Sequence, residues 1–165
     1  MKNPQLFKDL CLRFAQESHC LSKQVACLAI KNNRIIATGI NGTPAGAQNC
    51  DDYFREYYVN NIYKDYQDSI SFEEWLKSND FKTIHHEWSN NHEIHAEQQM
   101  IAFAASEGIS LENSEILVSL SPCIHCSKLL IALKPKAVYY INKYDKGFQE
   151  SLDLFKIANI LLEQI

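Results

Sequence analysis

Residues 95–142 read HAEQQMIAFAASEGISLENSEILVSLSPCIHCSKLLIALKPKAVYYIN. Two β-rich apolar runs in this stretch, at 115–120 and about 136–142, alternate with two segments of helical length, about 95–107 and 123–134. Strands alternating with helices of that length build a layered α/β sheet whose pairings here are parallel. Each helix starts directly after a loop or strand, and each opens on residues that carry chemistry: His95-Ala96-Glu97 in one, Ser121-Pro122-Cys123-Ile124-His125-Cys126 in the other.

Toward the C-terminus the pattern continues with a helix near 147–157 and a short strand near 159–164. Toward the N-terminus, Val25–Ile30 and Arg34–Ile40 are β-rich runs joined by Lys31-Asn32-Asn33, a hairpin signal. Asn41-Gly42-Thr43-Pro44-Ala45-Gly46 follows as a turn-rich loop. Residues 4–18 place Leu6, Leu10, Leu12, Phe14 and Ala15 among charges at loosely helical spacing, which predicts an amphipathic helix. Residues 48–91 differ in character: rich in Tyr, Asp, Asn and His, with Trp75 and Trp88, they carry no clean strand pattern. Short helices and loops are expected there, inserted into a single domain spanning 1–165. No internal repeat or low-complexity tract breaks that domain.

The composition is ordinary for a globular chain, at 46% hydrophobic and 22% charged, and excludes wholesale disorder. A formal net charge of −4 gives a polyanion no general attraction, so nucleic acid is not an expected partner. The N-terminus lacks the continuous apolar core of a signal peptide, and no run approaches the roughly 18 apolar residues of a membrane span. A soluble cytoplasmic protein is the expectation. In a reducing compartment the six cysteines read as thiols and metal ligands before disulfides.

Cys123 and Cys126, three apart at a helix start, can present both sulfurs on one side, where the helix N-terminus favours thiolates. His95 at the start of the other helix supplies a third donor. Three protein donors leave one tetrahedral position for water, the layout of a catalytic zinc. Glu97 is then the proton shuttle, since expelling an amine as ammonia needs protons moved from the attacking water to the substrate. H-x-E followed by P-C-x-x-C is the recorded signature of zinc nucleobase deaminases. Alone, the C-x-x-C would also suit a redox dithiol or a closed zinc knot. The first leaves His95 and Glu97 unused, and the second needs a fourth donor, for which His125 is poorly directed.

On these motifs the chain resembles the deoxycytidylate deaminases, phage type, of the cytidine-deaminase superfamily. The resemblance extends through Gln16-Glu17-Ser18, GINGTPAG at 39–46, Asn49-Cys50, His86-Glu87-Trp88-Ser89, EIHAE at 93–97, LSPCIHC at 120–126 and Tyr144-Asp145-Lys146. It implies a cytidine-deaminase-like three-layer sandwich, a mixed five-stranded sheet flanked by helices. It also implies His95, Cys123 and Cys126 on zinc, Glu97 as shuttle, Asn41 on the sugar and a backbone carbonyl near Ser121 receiving the amine. Tyr144 would pack near the nucleotide, and Ser22 and Lys23 are candidates for the 5′-phosphate. A second, structural zinc is implied at Cys20, Cys50, His85 and Glu93, with His86 and His92 as alternatives to His85. Cys11 and Cys27 fit neither site and read as core.

The implied reaction is hydrolysis of dCMP to dUMP and ammonia, feeding thymidylate synthesis. Effectors of the dCTP and dTTP kind, with Mg²⁺ accompanying them, and a homo-oligomer, often a hexamer, are implied as well. The chain departs from the family pattern at Ile40, Gln99 and Ser106 while keeping Phe103, departures that bear on substrate preference and regulation rather than on the chemistry. Two other readings stay open at this stage. One is a deaminase of another cytosine substrate, such as dCTP, a modified deoxycytidylate, a nucleoside or a nucleic-acid base. The other is a catalytically silent, zinc-stabilised nucleotide-binding protein, for which an intact Glu97 has no use.

Overall fold

A computed structural model describes residues 1–63 and 70–165. In chain order the elements are α1 (Pro4–Ala15), β1 (Ala26–Lys31), β2 (Arg34–Ile40), α2 (Cys50–Asn61), α3 (Phe72–Trp75), α4 (Asn79–His92), α5 (Ala96–Ser106), β3 (Glu115–Leu120), α6 (Ile124–Ala132), β4 (Ala137–Asn142), α7 (Phe148–Ile157) and β5 (Leu161–Gln164). They fall into two compact units. The first takes Met1–Ser18, Val25–Asn41 and His95–Ile165; the second takes His19–Gln24 and Gly42–Ile94. The segment 48–91, which the sequence sets apart, lies inside the second unit. Among the described residues no helix is long and apolar enough to cross a membrane.

The first unit is built on a five-stranded sheet of order β2-β1-β3-β4-β5. β1 runs antiparallel to both β2 and β3, whereas β3–β4 and β4–β5 are parallel, so the sheet is mixed. Alternation along each strand sorts the core into two layers. Ala26, Leu28, Ile30 and Leu117 face Phe7, Cys11 and Ala15 of α1. Cys27, Ala29, Ile116, Val118 and Val138 face the other way, with Met100 and Ala104 of α5, Leu130 of α6 and Phe155 of α7. Every residue of β1 from Ala26 to Ile30 is buried, which is why that strand reads as an unbroken apolar run. This is the three-layer α/β sandwich expected from the sequence.

Two boundaries differ from the sequence expectation for identifiable reasons. α1 ends at Ala15 rather than near 18, because Ser18 leaves the helix and donates its hydroxyl to the Asn41 carbonyl at 2.9 Å. β5 starts at Leu161 because Asn159, at φ 55°, closes α7 with a left-handed turn in which Ile160 N–H reaches the Phe155 carbonyl at 3.0 Å.

At Gly39 strand β2 crosses α5 backbone to backbone. A Cβ there would fall on the Ala96 carbonyl oxygen and the Met100 amide nitrogen, neither of which can rotate aside. Gly39→Ala must therefore push the strand off the helix. We expect it to cost about 3 kcal/mol and lower Tm by roughly 10 °C in thermal unfolding. An unchanged Tm would contradict this contact.

The second unit is helical, as expected for 48–91, but two of its helices are longer than the short ones anticipated. α2 and α4 are 12 and 14 residues long. Each buries one face at helical spacing: Cys50, Phe54 and Tyr58 on α2, and Phe81, His85 and Trp88 on α4. Their starts are well signalled, with Asp51 and Asp52 in the first turn of α2 and the Ser78 hydroxyl accepting from Phe81 N–H at 3.0 Å. The core is aromatic rather than aliphatic. Phe54 meets Phe81 and Trp88 at 5.3 Å between ring centroids, and Trp75 meets Phe81 at 5.2 Å, all edge-on. Its polar-looking composition hid a core made of Tyr, Phe and Trp.

Candidate active site and a second donor cluster

The first unit brings His95, Cys123 and Cys126 together. His95 is the N-cap residue of α5, Cys123 is the N-cap of α6, and Cys126 lies in the first turn of α6. His95 Nδ1 is 3.6 Å from Cys123 Sγ and 3.3 Å from Cys126 Sγ. Donors sharing one tetrahedral zinc, with sulfur at about 2.3 Å and nitrogen at about 2.0–2.1 Å, stand about 3.5 Å apart. The three donors therefore fit a zinc ion by spacing and by chemistry. His95 is exposed and Cys123 half-buried, so the cluster is reachable from solvent, as an open catalytic site would require. His125 points to solvent and takes no part.

Glu97, in the first turn of α5, is only 4% exposed between the fully buried Ala96 and Met100. Burial raises its pKa, with the negative field of Cys123 adding to the effect. The two sulfurs act as a pair: the Cys126 thiol hydrogen-bonds to Cys123, which favours thiolate at Cys123 and thiol at Cys126. Zinc would release that remaining proton.

The loop before α6 is pinned from two sides. Ser121 N–H donates to the Asn142 carbonyl at 2.8 Å, and Ser121 Oγ accepts from Tyr144 N–H at 2.8 Å. Ser151, fully buried on α7, donates to the Pro122 carbonyl at 3.2 Å. Tyr144, itself exposed, is thus tied to the cysteine loop. Asn41, directly after β2, has its backbone N–H on the Val25 carbonyl at 3.0 Å and its Oδ1 accepting from Val25 N–H at 2.8 Å.

The second unit contains the other cluster, Cys20, Cys50, His85 and Glu93. His85 Nε2 lies 3.5 Å from Cys20 Sγ and 3.4 Å from Cys50 Sγ, and Cys20 Sγ lies 3.6 Å from Glu93 Oε2. This cluster has four donors, three of them buried. Glu93 Oε1 is buried without a hydrogen-bond partner among the described residues, and burial raises the Glu93 pKa. A divalent cation would supply what that oxygen lacks. Four donors in a buried setting make a closed, structural arrangement. His85 also stacks on Phe54 with centroids 5.3 Å apart, tying the cluster to the aromatic core. His86 and His92 are exposed and lie outside it. The backbone N–H groups of Ser22 and Lys23 turn toward Cys20, where they favour its thiolate.

All six cysteines are free thiols. Cys11 and Cys27 are fully buried, and burial pushes the Cys11 thiol up to about 12 and that of Cys27 well above its ordinary value. At neutral pH neither should react with iodoacetamide in the folded protein, while both should react after unfolding. Peptide mapping by mass spectrometry reads this directly, and labelling of Cys27 in folded protein would contradict its placement.

Sequence reasoning passed over Gln98 and Ser151, and over Ser119 and Asn142, whose side-chain amide donates to the Ser119 carbonyl at 3.2 Å. Gln98 carried a readable signal: a glutamine three residues after the N-cap is a capping-box position, and its Oε1 accepts from His95 N–H at 2.9 Å. The serines carried none, because only the fold brings Ser151 to Pro122.

With this geometry in place, comparison with known proteins defines the class. The chain belongs to the family described as cytidine and deoxycytidylate deaminase zinc-binding region, whose sequence model matches residues 1–142. As a member of it, the protein is a zinc-dependent hydrolytic deaminase. It is 37% identical to the deoxycytidylate deaminase of Enterobacteria phage T4 over 156 residues, covering 88% of this chain and 81% of that protein. The phage T2 deoxycytidylate deaminase is 36% identical over the same length, covering 83% of that protein. In fold it is similar to the dCMP deaminase of cyanophage S-TIM5 in complex with dCMP and dUMP, with a TM-score of 0.70 at 24% identity, over 99% of this chain and 97% of that one.

Proposed function

We propose that this chain converts dCMP and water to dUMP and ammonia. One observation carries the reading: at the start of α5 an open three-donor cluster and a buried carboxylate stand two residues apart in sequence. Similarity to the phage deoxycytidylate deaminases over most of both chains supports the choice of substrate. His95, Cys123 and Cys126 would hold a zinc ion, which when bound would acidify water to a pKa of about 7 for attack on C4 of cytosine.

The protein's own groups do the rest. Glu97 takes one proton from the attacking water and delivers it to ring N3. It then takes the second from the new C4 hydroxyl and delivers it to the departing amine, so that C4=O forms as the C4–N bond breaks with ammonia as leaving group. Its buried setting keeps those protons from exchanging with bulk water during the transfer. Asn41, oriented by Val25, holds a sugar hydroxyl. A backbone carbonyl near Ser121 receives the amine, and Tyr144 packs beside the nucleotide. Cys20, Cys50, His85 and Glu93 hold a second, structural zinc. On the family resemblance alone, the proposal extends to dCTP and dTTP as effectors with Mg²⁺, and to assembly with further copies of this chain.

Initial rates of ammonia release from dCMP, dCTP, CMP and deoxycytidine test the substrate. We expect dCMP to have the highest kcat/KM of the four. A preference for dCTP or deoxycytidine by about tenfold or more would replace dCMP with that substrate.

A further inference from the structure

We infer that Gln99 is a positioning residue, which sets the place of Asn41 relative to the first turn of α5 and so acts on substrate binding. The inference rests on the deaminase reading above and goes beyond it. Gln99 sits two residues after Glu97 in the same helix, and its Oε1 accepts from the backbone N–H of Ile40 at 2.6 Å. Ile40 is the last residue of β2, directly before Asn41. At Gly39 the same strand end lies against the Ala96 carbonyl and the Met100 amide. β2 is an edge strand, with β1 on one side only. Its backbone register on α5 is thus fixed by contact at Gly39 and by one side-chain acceptor at Ile40.

The neighbouring glutamine does the parallel task on the metal side. Gln98 returns to the His95 N–H at 2.9 Å, holding the backbone of a metal donor. Two consecutive amides in the first turns of α5 therefore hold two different parts of the site: Gln98 the donor residue, Gln99 the strand end that carries the sugar contact. Removing the Gln99 acceptor leaves a partly buried N–H at Ile40 unmet and lets Asn41 move against Glu97, and small misplacements of a binding group are costly to turnover.

The test compares Gln99→Met, which removes the acceptor at similar length, with Gln99→Glu, which restores an acceptor oxygen. Both are made with and without Asn41→Ala, in zinc-loaded protein. We expect Gln99→Met to raise KM for dCMP by about tenfold with a smaller change in kcat, and to speed hydrogen exchange at the Ile40 amide. Gln99→Glu should recover most of the KM, and Asn41→Ala should add little to Gln99→Met because both act through the same contact. Unchanged KM, additive effects of the two substitutions, or unchanged Ile40 exchange would overturn the inference. If Gln99→Met does not fold, Gln99→Asn, with its amide on a shorter arm, carries the same comparisons. Absence of turnover by the unsubstituted protein would count against the dCMP reading alone, since Ile40 exchange still decides the contact.

Discussion

Glu97→Gln is expected to lower kcat for dCMP by about 10³-fold or more, while the zinc content and Tm stay near those of the unsubstituted protein. The side chains are nearly isosteric, so the buried volume at Glu97 stays filled, and Glu97 is not one of the converging donors. What is lost is the capacity to accept and return a proton. The metal would still acidify water, but nothing would carry protons to N3 and the amine. Ammonia release measured beside metal analysis separates the two contributions. Retention of more than about a tenth of the activity would remove Glu97 from the shuttle role.

His85→Ala is expected to remove one of about two zinc ions per chain and to unfold the second unit, because structural zinc binding is worth on the order of 10 kcal/mol of folding free energy. The effect should exceed that of an ordinary buried histidine for two reasons visible in the unit. Glu93 would remain buried with Oε1 unmet, and Phe54 would lose the ring stacked on it at 5.3 Å. Trp75 and Trp88, both buried in the aromatic core, report the loss through a red shift in fluorescence. His86→Ala, on the exposed side of the same helix, serves as control and should leave zinc content and emission unchanged. Equal zinc content in His85→Ala and unsubstituted protein would remove the second metal from the account.

The sheet and its flanking helices were legible because period-2 and helical runs alternate cleanly between 95 and 142. β2 and β3 begin and end where the sequence places them. The three donors at the helix starts were legible for a related reason: two lie within one turn, and all sit at an N-cap or in the first turn. The second cluster was different in kind. Cys20 and His85 are 65 residues apart, and the four donors come from three separate segments, so no local spacing announces them. Only the family resemblance pointed to that set. The second unit's helices were under-read because Tyr, Asn and Asp dilute a stripe whose buried members, Cys50, Phe54 and Tyr58, keep a strict four-residue step. Gln99 was legible only as a departure from a pattern; its partner, a backbone N–H on strand β2, leaves no trace in sequence.

The most direct test of the account is the product formed from dCMP by zinc-loaded protein in water enriched in oxygen-18. Hydrolysis at C4 is expected to give dUMP carrying one heavy oxygen on the base, with one ammonia released for each dUMP. No dUMP from metal-replete, folded protein would contradict the account.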